Sequence, residues 1–358
     1  MRNRLILVTA ILLGLASIAP MARAATVNYY VATTGNDKNP GTSAKPFKTI
    51  QKCIKAVPAK GICNLRAGSY YESVAAKSNI TIQGYKDEVA TIDGRNRVTN
   101  FTQYAPNQYV APITLRTDDT NQIFFGATAG VEAQWPNQID TQHANWKRIG
   151  EVTTASLTDS NIPTGLKGAG LIKFWSGDDA WVAETGTFTL TSAGHIKYAL
   201  DGQREEDYIK PQVGGLYYLF NNLSFMDSPY EWFYDSSAHK LYVQLPDGTN
   251  IQDVAVSYRS RDFGLNLAGM NHVTVRNLHL ISSTIKMDQD SSFNVLDGID
   301  AQYVWQMTRA KDDTVIHPWI GGFEVDHNFD SGINVKGSHN VLKNSVIAHS
   351  ACNGVIVA

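Results

Sequence analysis

Acidic side chains crowd one late stretch of the chain: Asp297, Asp300, Asp312, Asp313, Glu324, Asp326 and Asp330. The run Gly322-Phe323-Glu324-Val325-Asp326-His327 alternates with the period of a half-buried strand. Phe323 and Val325 then face an interior, while Glu324 and Asp326 face outward together, and Asp330 stands just before the next short strand. Two carboxyls across a groove can share the cleavage of a glycosidic bond. One, kept protonated, gives its proton to the leaving oxygen, and the other, ionised, acts as base or nucleophile. Asp326, Asp330 and Glu324 are therefore the catalytic candidates, and Lys336, His349 and Trp319 the candidates for holding substrate. The plainer reading is that such a face is solvated surface. On the same reading His327, His339 and His349 are structural or exposed.

The rival chemistry is β-elimination on a uronate. It needs a base and a cation that neutralises the carboxylate. Lys336 and Lys343 would serve, with a carboxylate-held calcium as helper. The sequence holds no compact calcium motif and no dense basic stripe, so hydrolysis ranks first, with no metal or cofactor assigned. Zinc-type spacing, a Gly-x-Ser-x-Gly elbow and phosphate loops are absent.

These residues need elements to hold them. Gly332 and Gly354 each open a short β-branched run, Ile333-Asn334-Val335 and Val355-Ile356-Val357. That spacing is the length of one rung of a parallel β-solenoid, whose rungs bury their apolar faces only by stacking. Ile333 and Val335 then lie over Val355 and Val357 inside the coil, with Asn334 and Lys336 outside. Two strands of a sandwich are the alternative. Asn277 and Asn344 each follow a basic residue at a strand end and read as stacked corner asparagines that bond to one another and to backbone.

Residues 1–24 read as a signal peptide: Arg2 and Arg4, an apolar run over 5–18, and an Ala22-Arg23-Ala24 cleavage site. The expectation is a secreted or periplasmic protein. Removing three arginines shifts the formal charge from −2 to about −5, against nucleic acid as a partner. No later segment is long and apolar enough for membrane insertion. Nothing specifies an oligomeric state. Cys53 and Cys63 are close enough to form a local disulfide in an oxidising compartment, leaving Cys352 as a buried thiol. The chain closes on Val357-Ala358 inside a strand without a polar cap, so it is expected to be a fragment of a longer protein.

A strand over 26–31, a turn-rich loop over 33–42 and an amphipathic helix over 46–57 come next, with Pro46 in its first turn and Phe47, Ile50, Ile54 and Val57 on one face. A strand and bend over 62–73 and short strands over 79–84 and 90–94 follow. The run from Tyr30 through Asn39-Pro40-Gly41 and Lys45-Pro46-Phe47 to Cys53, then Arg66-Ala67-Gly68-Ser69-Tyr70-Tyr71-Glu72, resembles the N-terminal cap of right-handed parallel β-helix proteins of the pectate-lyase-like superfamily. Polysaccharide lyases, β-helical glycoside hydrolases and uncharacterised surface proteins share that cap. The resemblance implies an all-β parallel β-helix with a capping helix and a polysaccharide or oligosaccharide partner, and it supports the Cys53–Cys63 bridge.

Rung spacing is lost from about 121 to 256, read as an inserted all-β module between cap-and-first-rungs (25–120) and continuing rungs (257–358). The runs 131–137 and 230–235 resemble the insertion of xylosidase- and fucosidase-type β-helical hydrolases, which usually carry arginine where this chain has Gln134. Trp135, Trp146, Trp175, Trp181 and Trp232 fall here, either as a sugar-stacking wall or as the module's core. Three activities follow in order: hydrolysis of a polysaccharide or oligosaccharide, lyase action on a uronate polymer, and carbohydrate binding without catalysis.

Overall fold

The computed structural model describes residues 26–117, 120–137, 147–176, 182–201, 210–306, 309, 332–350 and 354–357. Short strands stack in parallel, rung upon rung. One column runs Tyr29, Cys63, Ile82, Val275, Leu296 and Leu342, each in register with the next. A second column, on the next face, runs Tyr70, Ile92, Leu280, Ala301 and Ile347. A third brings Leu265 onto Val74 and Ile285 onto Leu265. These apolar columns form one continuous core, which no single rung could close on its own. The chain is all-β and winds as a parallel β-helix.

Ile333 pairs with Val355 and Val335 with Val357, in the register that the glycine spacing predicts. Asn334, expected on the outside, has no exposed surface. Alternation sets the direction of a side chain but not what neighbouring chain lies over it.

The capping helix is shorter than the pattern suggests, Ile50–Ala56. Thr49 caps it by accepting the Lys52 N–H, and the Glu72 carboxylate takes the N–H groups of Ile50 and Gln51. Pro46 and Phe47 lie outside the helix because Phe47 bridges to Val31 as an extra extended pair. The apolar face holds: Phe47, Ile50, Ile54 and Val57 are all buried over the first rung. A disulfide joins Cys53 of the helix to Cys63 of the Ile62–Leu65 strand, across a sequence separation of 10. Closing so short a loop constrains the unfolded chain by roughly 3 kcal/mol. A Cys53→Ser, Cys63→Ser double variant should lose about that much stability in denaturant melts, and reductant should change its midpoint no further.

Among the described residues the coil is interrupted once, in the middle of a rung. The chain leaves after Ala90–Asp93 and rejoins at Phe263–Asn266, which stacks on Val74–Ala75. The two ends of the excursion meet at Gly94, whose carbonyl accepts the N–H groups of Ser260 (2.9 Å) and Arg261 (3.0 Å). A Cβ on Gly94 would lie 2.1 Å from the Ser282 carbonyl oxygen, so this crossing requires glycine. The inserted strands begin with Arg95–Arg97, earlier than the expected start near 121, and Thr102–Ala105 and Gln108–Pro112 belong with them. Solenoid and module strands share the period of two, so spacing alone does not place that boundary. The module is mostly antiparallel and has two apolar cores of its own. Trp232 belongs to one core and Trp135 packs against the other, so both serve packing first.

Corner residues repeat from rung to rung. Asn277, Gly298 and Asn344 occupy one left-handed corner, with φ of 48°, 68° and 49°. The two asparagines do not bond to each other, because the Gly298 rung lies between them. Asn344 Nδ2 donates instead to Asp297 Oδ1 at 2.9 Å. Ser282, Tyr303 and His349 are left-handed as well, at φ of 52°, 55° and 56°.

Candidate functional site

The inserted module closes back onto the solenoid and leaves a cavity of about 330 Å³ between them. Its walls come from five separate stretches of chain. The module contributes Gln122, Glu132, Gln134 and Tyr218, and the solenoid contributes Tyr303 and His349.

Tyr303 sits near the end of the long Val295–Trp305 strand, and its left-handed backbone turns the ring outward. His349, on the next rung, stacks on it with centroids 4.5 Å apart and planes 13° apart. Phe124 meets Tyr303 edge-on at 5.2 Å. Behind the ring, fully buried Arg259 ties the last module strand, Val256–Arg259, to the solenoid. Its guanidinium donates to the carbonyls of Tyr303 and Val304 at 3.3 Å, lies 5.4 Å above the Trp305 ring and pairs with Asp262 at 3.5 Å.

On the opposite wall, Val131–Glu132 lies parallel to Glu231–Asp235, with Glu132 beside Trp232. Glu132 is half-buried, and its Oε2 is out of solvent contact. Burial, and then the Glu132 carboxylate beside it, push the Tyr218 hydroxyl well above its ordinary range. Gln134 is held by Glu231, which accepts its N–H at 3.3 Å and those of Asp227 and Ser228 at 3.0 Å. Gln122 accepts from Ser282 Oγ at 3.1 Å and reaches the Gln306 amide at 3.5 Å.

Glu231 is itself buried, and burial pushes its carboxyl up to about 7 despite the three N–H donors. Above its ordinary 4.5 the unfolded chain has released this proton while the folded chain still holds it. Stability therefore falls as pH rises from about 4.5 to about 7, by an amount of order 3 kcal/mol, and levels off above that. Melting curves across this window should show a steeper decline for the wild type than for Glu231→Gln. Parallel profiles would contradict the assignment.

Of the residues that the sequence nominates, His349 lines the cavity. Lys336 lies just beyond the Ile333–Val335 strand, where its carbonyl accepts from Asn340 Nδ2 at 2.8 Å, and it does not line the cavity. Asp326, Asp330, Glu324 and Trp319 lie outside the described residues, as do Cys352, Trp146 and Trp181. Asp297 and Asp300 are on the outer face of the coil. Asp297 pairs with Lys343 at 3.5 Å, and Asp300 with His279 at 3.3 Å. Hydrogen bonding from Asn344, and then the Lys343 charge, hold Asp297 below the usual carboxylate range, which suits a surface ion pair and not a proton donor. The run 131–137 contains Glu132 and Gln134, but nothing in the sequence around Glu132, Gln122, Tyr218 or Tyr303 assigns them a role. Only the closure of the module brings these four together.

Fold and cavity together define a parallel β-helix with an inserted β module that faces one flank of the coil. Residues 33–99 match the family described as "Protein of unknown function (DUF1565)", a family of right-handed β-helices. Over 100 residues the chain is 32% identical to "Uncharacterized protein YwoF" of Bacillus subtilis (strain 168), a match covering 26% of this chain and 20% of that protein. The chain thus spans about a fifth of the length of that curated relative. Among solved structures, one titled "Glycoside hydrolase" superposes with a TM-score of 0.65 at 13% identity, covering 93% of this chain and 67% of that one. Another, "The complex structure of XylC with xylose", is 14% identical with a TM-score of 0.41, over 79% of this chain and 42% of that one. The first of these likenesses shows the fold: a right-handed parallel β-helix.

Proposed function

We propose that this chain is a carbohydrate-active protein that hydrolyses glycosidic bonds of a polysaccharide or oligosaccharide, seating a neutral sugar unit in the cavity between module and coil. The observation that carries this reading is the chemistry of the cavity wall. Among the described residues it presents four carboxamides (Asn121, Gln122, Gln134 and Gln306), one carboxylate (Glu132) and a stacked Tyr303–His349 pair, with no lysine or arginine. Carboxamides match the hydroxyls of a neutral sugar, and a stacked ring pair packs against its apolar edge. A uronate lyase needs a cation beside the sugar carboxylate, and this wall offers none.

Hydrolysis takes two carboxyls. Glu132 supplies one in this reading, and Asp326 or Asp330 the second. Export by the 1–24 segment would bring the protein to its polymer. The similarity to a structure titled "Glycoside hydrolase" agrees with the proposal but does not carry it.

A panel of neutral and uronate polysaccharides tests it. New reducing ends without the absorbance of an unsaturated uronate are the expected result, with Asp326→Asn or Asp330→Asn lowering turnover by about a hundredfold or more. Unsaturated products would mean a lyase. Binding without any cleavage would mean a non-catalytic carbohydrate-binding protein.

A further inference from the structure

A second cavity, of about 380 Å³, shares with the first the hairpin that walls it. The hairpin strands are Ile123–Phe125 and Thr128–Ala129. Ile123 and Ala129 line the first cavity, and Gly126, at the turn, lines the second. A line of ring contacts joins the two. The Arg95 guanidinium lies 5.0 Å from the Phe124 ring, and Phe124 meets Tyr303 of the first cavity at 5.2 Å.

The two cavities differ in charge. The second is lined by Tyr71, Asp93, Arg95 and Arg97. Asp93 is buried and already taken: Arg95 Nε donates to Oδ1 at 2.9 Å and Nη2 to Oδ2 at 2.8 Å. Arg97 is exposed, with no ion pair among the described residues. With Arg95 spent on Asp93, the Arg97 guanidinium leaves the wall one net positive charge. Tyr71, 56% exposed, adds an aromatic ring at the rim.

We propose that this second cavity is an anionic subsite, taking a sugar unit that bears a carboxylate or sulfate ester, next to the neutral unit in the first cavity. The inference rests on the sugar-binding reading of that first cavity. An arginine fork matches the planar carboxylate or the sulfate face, and a tyrosine ring packs on the sugar. The volume lies within the range of small-ligand cavities. The polymer recognised would then carry acidic units or substituents beside neutral ones.

Titration calorimetry with three probes tests this: a neutral trisaccharide, its uronate-containing counterpart and its sulfated counterpart. At low ionic strength at least one acidic probe should bind about tenfold more tightly than the neutral one, and added salt should erase the difference. Which acidic probe gains tells carboxylate from sulfate recognition. Arg97→Ala should abolish the acidic preference and leave neutral binding unchanged, while Arg97→Lys should restore part of it. Arg97 is exposed, and a melting curve checks that the variant is folded. Equal affinity for all three probes, or an acidic preference that survives Arg97→Ala, overturns the subsite. If the neutral probe does not bind either, the reading of the first cavity fails with it, so the two failures are distinguishable.

Discussion

Replacing Glu132 with glutamine should lower turnover of a neutral oligosaccharide by about a hundredfold or more. Glutamine keeps the shape but can neither release a proton nor carry a negative charge at this position. Glu132 is the carboxylate that the described cavity wall offers, beside Tyr218 and facing the Tyr303–His349 pair across the cleft. The companion substitution Asp297→Asn should leave rates unchanged within about twofold, because its part-exposed surface ion pair with Lys343 contributes little. Initial rates and melting curves on both variants separate chemistry from folding. Wild-type turnover in Glu132→Gln would remove that residue from the reaction.

The second large effect concerns how the cavity is held. Arg259→Met should cost about 2–5 kcal/mol, since each buried carbonyl left without a donor costs about 1–3 kcal/mol. Arg259 has almost no exposed surface, and its removal leaves the Tyr303 and Val304 carbonyls without their donor. Among the described residues, Asp262 would retain Arg116 as its cationic partner. Methionine fills part of the volume but bridges nothing. Since Arg259 joins the last module strand to the strand bearing Tyr303, catalysis should fall before the coil unfolds. Denaturant melts beside rate measurements give both numbers. A loss below about 1 kcal/mol would show that the contact is dispensable.

Much of the coil is legible in the sequence. The spacing of Gly332 and Gly354 placed Ile333 over Val355, because rung length is set by strand geometry and shows as a repeat. The helix face from Phe47 to Val57 was legible from its periodicity. Cys53 and Cys63 were legible from their spacing, with the capping resemblance in support. The N-terminal edge of the module was not. Residues 95–112 alternate like rung strands, and their antiparallel partners lie far along the chain, so only three-dimensional pairing tells the two apart.

The cavity was the least legible feature. Gln122, Glu132, Tyr218, Tyr303 and His349 share no sequence motif, and each is unremarkable in its own stretch. They meet because the chain leaves the coil at Gly94 and returns to the same point at Ser260 and Arg261. His349 was nominated for its type, and it owes its place to stacking on Tyr303, a residue in which sequence alone shows no chemistry.

Difference density from a crystal soaked with a neutral oligosaccharide is the most direct measurement of the central claim. The account predicts a sugar ring packed against Tyr303 and His349, with a glycosidic oxygen within hydrogen-bonding reach of Glu132. Density on the outer face beside Asp297 and Lys343 instead, with this cavity holding only solvent, would contradict it.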